Sequence, residues 1–259
     1  MSSRAAIRSP ERRVDLLQVE RLPDRSAMAR AAGRAIGDEL RRRLAGQAQV
    51  RMILAAAPSQ ADTLDELVGQ DGIDWGRVTA FHMDEYIGLP AGSPQRFASW
   101  LDRHVFSRLP FGAVHRIVPE PDAGRAASAY AGLLAAAPID IVCLGIGVNG
   151  HLAFNDPPVA DFRDPADVKI VTLDPECRQQ QVDDDCFANL DAVPLQAITL
   201  TIPRLMRGHR LFCVVPGKAK RDAVRRALSG PISTTCPASI LRTHAACTLY
   251  LDPQSDPDA

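Results

Sequence analysis

Short apolar runs recur along this chain, at residues 50–57, 78–83, 139–145 and 210–215. Each has strand length and aliphatic character, and so predicts a strand buried on both faces. Stretches of helical period lie between them. Asp24 or Ser26 caps a predicted helix to about residue 44, with Met28, Ala31, Ile36 and Leu40 inward. Residues 61–68 predict a helix that buries Leu64 and Leu67; residues 95–106 predict one that gathers Phe97, Trp100, Leu101 and Phe106. An Ala-rich helix follows Asp122, and 220–228 predict another that Gly230 and Pro231 end. Shorter strands are expected at 14–19, 114–118, 168–172, 197–201 and 246–251, with helical turns at Pro203 and 238–242. Residues 155–166 read as irregular, 179–188 as a loop or short helix, and 252–259 as a disordered tail.

Strands that alternate with helices imply an α/β fold: a doubly wound, mostly parallel sheet with helices on both faces, Rossmann-like. One domain over 1–259 is expected, with a lid at 155–190. Right-handed crossovers place the loops after 57, 83, 145 and 215 at one edge of the sheet. Ser59, Asp84, His151 and Lys220 are therefore predicted to converge from distant parts of the chain.

Composition narrows the function class. A formal charge of -1 gives no footprint for nucleic acid, and no apolar run reaches membrane-spanning length. The N-terminus lacks a signal-peptide core, so the cytoplasm is the expected compartment. None of the six cysteines has CxxC spacing, which predicts buried free thiols and no metal cluster. Arginine carries almost all the positive charge, since the only lysines are Lys169, Lys218 and Lys220.

Chemistry concentrates where the apolar run at 139–145 gives way to Gly145, Gly147, Asn149, Gly150, His151 and Asp156. The glycines let the backbone turn and approach a ligand closely. Asp156 is a candidate partner that orients His151 and favours its charged form. Asp84, directly after a buried strand, is a candidate to move protons between substrate carbons. Lys220 stands at a strand-to-helix junction, where phosphate groups bind. The glycines do not complete GxGxxG, so no nicotinamide cofactor is expected. No GxSxG elbow is present, which removes a serine-hydrolase reading.

Two segments carry a family resemblance. Phe81-His82-Met83-Asp84-Glu85-Tyr86-Ile87-Gly88-Leu89 resembles an FxMDEYxGL motif. Leu144-Gly145-Ile146-Gly147-Val148-Asn149-Gly150-His151-Leu152-Ala153-Phe154-Asn155-Asp156-Pro157 resembles GxGxDGHxAFNEP. Both belong to the glucosamine-6-phosphate deaminase/isomerase group, which shares a fold with the 6-phosphogluconolactonases, and the likeness runs from about 25 to 250. It implies conversion of a 2-amino-aldose phosphate to a ketose phosphate with release of ammonia, without metal or redox cofactor. By resemblance, His151 opens the pyranose ring, Asp84 shuttles the proton between C2 and C1, and Lys220 binds phosphate. Gly150 belongs with the binding residues.

The departures are local. Asn149 stands where the family has an acid, and Asp156 where it has glutamate. The family's PTGGTP-like phosphate loop is here Ala55-Ala56-Ala57-Pro58-Ser59-Gln60-Ala61-Asp62-Thr63, without a glycine. Ser59 remains as a hydroxyl donor, while an inward Asp62 would repel phosphate. Val182 stands near the family's lid arginine, so Arg96 or Arg178 is expected to substitute. A lactonase of the same fold and a non-catalytic sugar-phosphate-binding protein are the alternatives. The resemblance also implies a homo-oligomer.

Overall fold

The computed structural model describes residues 12–259. At one edge β1 (Arg12–Val14) and β2 (Leu17–Arg21) form an antiparallel hairpin, where a single strand was expected. Asp15 in the turn has φ 53, a left-handed conformation that a turn aspartate tolerates. The Asp24 carboxylate then accepts the Ala27 N–H at 2.7 Å and starts α1 (Arg25–Gly46). The chain continues through β3 (Val50–Leu54), α2 (Ala61–Val68), β4 (Val78–His82) and β5 (Asp84–Tyr86). Next come α3 (Phe97–Leu101), β6 (Ala113–His115), α4 (Ala123–Ala135) and β7 (Ile141–Leu144). The remainder is β8 (Val168–Thr172), α5 (Pro175–Asp183), β9 (Gln196–Leu200), α6 (Ile202–Met206), β10 (Arg210–Val215), α7 (Arg221–Ser229) and β11 (Cys247–Leu251).

The main sheet runs β1-β2-β11-β10-β7-β3-β4-β6, and every pairing beyond the hairpin is parallel. Alternation along its strands sorts side chains into two cores. Ile141, Cys143, Met52, Leu54, Phe212 and Val214 face one way, against Met28, Ala32, Ile36 and Leu40 of α1 and Leu64 and Leu67 of α2. Val142, Leu144, Ile53, Leu211, Cys213 and Val215 face the other, against Tyr130 and Leu134 of α4 and Val224 and Leu228 of α7. This is why those strands read as continuous apolar runs, and it makes the fold doubly wound as expected.

The strands at 168–172 and 196–200 form a second sheet, β5-β9-β8, which is antiparallel. The backbone bends at Met83, whose carbonyl accepts the Leu200 N–H at 2.8 Å. Residues 84–86, expected as loop, thereby become a strand against β9.

The expectation of a disordered tail is corrected. Asp252, Ser255 and Asp256 are buried. The Asp252 carboxylate accepts the Gly217 N–H at 3.1 Å, and Asp256 pairs with Arg21 at 2.7 Å. The acidic, proline-bearing composition suggested solvation, but these acids have partly buried donors in Gly217 and Arg21. Among the described residues, no helix is long and apolar enough to cross a membrane.

Candidate active site

β3 and β7 are neighbours from which the strand order runs in opposite directions, so the loops after them part and leave a crevice. A pocket of about 80 Å³ lies there. The loop after β3 lines it with residues 55–60, β5 with Asp84, the loop after β7 with Gly145, Gly147 and His151, and the turn after β10 with Lys220. The four loops predicted to converge do so.

His151 is 8% exposed and its ring lies on Gly147, where a Cβ would fall 2.1 Å from Nε2. Only glycine leaves room for the imidazole. The Asn149 carboxamide oxygen accepts the His151 backbone N–H at 3.0 Å, and its Nδ2 donates to Asp156 Oδ1 at 2.9 Å. That fixes the amide's orientation. His151 Nδ1 then lies 2.9 Å from both Asn149 Oδ1 and Asp156 Oδ1. Two acceptors on one nitrogen require Nδ1–H, which leaves the Nε2 lone pair for the pocket. Burial alone would raise the Asp156 pKa. The hydrogen bond from His151, with those from Asn149 and the Asp174 N–H, outweighs it and holds the carboxyl below its ordinary value. Gly150 does not line the pocket. It makes the turn behind it at φ 91, where a Cβ would meet Cys236 Sγ at 2.8 Å.

Asp84 is 7% exposed, and burial followed by the charge of Glu85 pushes its pKa well above the usual carboxylate range. Glu85 itself is fully buried. Its carboxylate accepts the N–H groups of Tyr86 at 3.0 Å, Phe97 at 3.1 Å and Ala98 at 2.9 Å, and burial still pushes it up to about 7. His82 fastens Asp84 from below. Its Nε2 accepts the Ile117 N–H at 2.8 Å, so Nδ1 carries the proton and donates to the Asp84 carbonyl at 2.9 Å. Burial lowers the His82 pKa to about 4, which keeps that tautomer neutral.

Lys220 is 7% exposed, and its Nζ has no hydrogen-bond partner among the described residues. Burial lowers its pKa, against the opposing pull of Asp184, Cys177 and Asp183. A buried ammonium without a partner is costly, and an anion in the pocket would supply one. The loop after β3 helps little. Pro58 has no N–H, the Gln60 N–H is held by Ala57 at 2.9 Å, and the Gln60 side chain donates to the Val214 carbonyl at 3.1 Å. Ser59 lines the pocket, while Asp62 faces outward to Arg25 at 2.6 Å.

The two arginines expected to replace the lid arginine do not reach the pocket. Arg96 donates to the Leu89 carbonyl and pairs with Glu120; Arg178 donates to the carbonyls of Leu190 and Val193. Both hold loops together, because buried carbonyls on irregular backbone need donors. In their place α5 presents Gln180 and Gln181, and Asp184 follows at its C-terminal end. Gln180 accepts the Val148 N–H at 3.0 Å, and Gln181 accepts the Tyr86 hydroxyl at 2.9 Å. Sequence reading missed these amides, because a polar helix of little periodicity resembles a surface loop. The one available signal was adjacency to Val182, already aligned with the lid.

No metal cluster was expected. His151, Asp156 and Cys177 nonetheless place ligand atoms within 4.8 Å of one another. Nδ1 faces Asn149 Oδ1 and Asp156 Oδ1, and burial, with the nearby charge of Asp156, pushes the Cys177 thiol well up, so these groups serve as one another's partners.

Residues 23–250 match the family described as Glucosamine-6-phosphate isomerases/6-phosphogluconolactonase. The chain belongs to this family. It is 32% identical over 204 residues to a glucosamine-6-phosphate deaminase of Lactobacillus johnsonii, covering 77% of this chain and 81% of that one. It is 34% identical over 186 residues to one of Bacillus thuringiensis, covering 71% and 68%. Among solved structures, a monomeric glucosamine-6-phosphate deaminase superposes with TM-score 0.84 at 25% identity, covering 92% of this chain and 98% of that one. A 6-phosphogluconolactonase of Thermotoga maritima gives 0.74 at 20% identity, covering 91% and 99%, a likeness of fold.

Proposed function

We propose that the protein converts an amino sugar phosphate, foremost glucosamine-6-phosphate, to fructose-6-phosphate and ammonia in the cytoplasm. One observation carries this reading. His151, with its Nε2 lone pair free, and Asp84, a buried carboxyl of raised pKa, line one small pocket with the unpartnered Lys220.

In this reading His151 Nε2 takes the anomeric hydroxyl proton and hands it to the ring oxygen, which opens the pyranose. Asn149 and Asp156 share the imidazolium proton at Nδ1 meanwhile. Asp84, ionised, takes the C2 proton; the C–H electrons form the enolamine double bond and a solvent proton reaches O1. Asp84 returns its proton to C1, leaving an iminium at C2. Water adds there and ammonia departs with the second proton of that water, so the sugar leaves as a ketose. Lys220 and Ser59 hold the phosphate. Residues 155–190, with α5, serve as the lid. A lactonase needs no carboxylate at the substrate's C2, and Asp84 would be idle in it.

The reading is tested by ammonia release from glucosamine-6-phosphate, galactosamine-6-phosphate, mannosamine-6-phosphate and glucosamine. Turnover of a phosphorylated amino sugar is expected. Hydrolysis of 6-phosphogluconolactone with no ammonia from any amino sugar would replace the deaminase reading by the lactonase one.

A further inference from the structure

Two buried amides stand side by side on α5 and reach the two halves of the site. Gln180 and Gln181 are 9% and 8% exposed, and both line the pocket. Gln180 Oε1 accepts the Val148 N–H at 3.0 Å, and its Nε2 donates to Asp184 Oδ2 at 3.1 Å. A backbone N–H donates and a carboxylate accepts, so both ends of this amide are assigned. Gln181 accepts the Tyr86 hydroxyl at 2.9 Å. Tyr86 is fully buried and lies two residues after Asp84 on β5, while Val148 lies three residues before His151.

The His151 loop needs such a tie. Inside it, the Gly147 N–H meets the His151 carbonyl and the Gly150 N–H the Gly147 carbonyl, each at 3.0 Å. These bonds shape the loop without fastening it to another element. Downstream of His151, the Phe154 N–H meets Thr199 Oγ1 at 3.1 Å and Asn155 donates to the Leu200 carbonyl at 2.8 Å, both on β9. Upstream, the fastening falls at Val148. That residue stands between Gly147, on which the imidazole lies, and Asn149, whose oxygen is 2.9 Å from Nδ1. The Val148 N–H goes to Gln180, and its carbonyl accepts from Arg226 of α7 at 3.3 Å. A shift at Val148 therefore moves the floor and the hydrogen-bond partner of His151 together. His151 follows a strand of the main sheet and Asp84 lies in the second, so α5 bridges groups that different sheets carry. The helix is itself anchored: Cys177 is fully buried, and Arg178 donates to the carbonyls of Leu190 and Val193.

We propose that Gln180 and Gln181 are positioning residues that together set the separation of His151 and Asp84. One amide holds the loop of the base that opens the ring. The other holds the strand of the carboxylate that moves the C2 proton, and adjacent positions on one helix fix the span between them. The joint use of the two groups rests on the deaminase reading; the separation they are held at does not.

The test is a double-mutant cycle on ammonia release from glucosamine-6-phosphate, with Gln180→Met and Gln181→Met, which keep the side chain's length and remove its hydrogen bonds. A slip of about 1 Å costs roughly a hundredfold, so a partial slip in each single variant should lower kcat about tenfold and leave KM within about twofold. Both amides act on one distance, so the double variant should lose little more than either single one; independent losses would multiply to about a hundredfold. Gln180→Glu adds a readout that general loosening of the fold does not move. The introduced carboxyl faces Asp184, with Asp183 on the same helix, Lys220 after β10 and Arg226 on α7 as the other charges around it. Protonated, it accepts from Val148 and donates to Asp184 as the amide does; ionised, it repels Asp184. Its kcat relative to the native chain should therefore be highest near pH 5.5 and fall about tenfold by pH 8.5. Multiplying losses, or a ratio flat with pH, would overturn the proposal. Crystal structures of the native chain and the two Met variants decide it without turnover. The separation of His151 Nε2 from the Asp84 carboxyl should change by about 0.5–1 Å, and an unchanged separation would overturn the proposal. A changed separation with no ammonia from any amino sugar would leave the positioning role standing and remove the deaminase reading.

Discussion

Asparagine at position 149 is explained by what it touches. Its amide donates to Asp156 and its oxygen accepts from His151, so one negative charge serves the whole trio. In Asn149→Asp two carboxylates would face each other at hydrogen-bond distance, and one must retain a proton or repel. Its pKa rises, so stability is present at low pH and lost as pH climbs through the raised value. The variant's melting temperature is expected to fall below the parent's at pH 8 and approach it near pH 5. Glu85 offers a second test. Its folded pKa of about 7 lies above the ordinary 4.5, so ionising it costs stability as pH rises between those values. Glu85→Gln should flatten that dependence. It also removes a charge beside Asp84, whose pKa then drops, and the acid limb of kcat/KM should move to lower pH. An unmoved limb would separate Asp84 from Glu85.

At the scale of elements, loops do the placing. Gly147→Ala puts a Cβ where the His151 ring lies, at 2.1 Å, and nothing else in that loop needs to change. A displacement of about 1 Å at a catalytic group costs roughly a hundredfold in rate, and that loss in kcat with an unchanged circular dichroism spectrum is expected. The tail is the second case. Truncation after Leu251 frees the Gly217 N–H and Arg21, and a loss of about 1–3 kcal/mol by urea titration is expected. Because Gly217 opens the turn that holds Lys220, KM for a phosphorylated substrate should rise as well. These two elements mark what sequence shows and hides. The turn at Gly147 and His151 was visible because glycines followed by a histidine have few other uses. The tail was not, because its partners Gly217 and Arg21 lie far away in sequence.

For the molecule as a whole, the main sheet was legible because both of its faces are covered. Two-sided burial writes uninterrupted aliphatic runs, and the right-handed crossover then places their loops. In the second sheet β8 and β9 were legible as strands, but their pairing with β5 was not, since β5 is three residues long and carries polar chemistry, while the bend at Met83 leaves no mark in composition. Asp84, His151, Ser59 and Lys220 were located by topology. The Arg96 and Arg178 expectation failed for a different reason: an arginine's charge is visible in sequence, but the carbonyls that claim it are not. What replaces them is an amide-bearing helix and a carboxylate, a change in the character of the pocket's far end. The central claim joins Asp84 and His151 in one reaction, and ammonia release from glucosamine-6-phosphate by the native chain and Asp84→Asn tests it most directly. General acid–base groups contribute about 10²–10⁴-fold, so the variant should bind the sugar phosphate yet lose at least a hundredfold in ammonia release. Release by Asp84→Asn at the native rate would contradict the account.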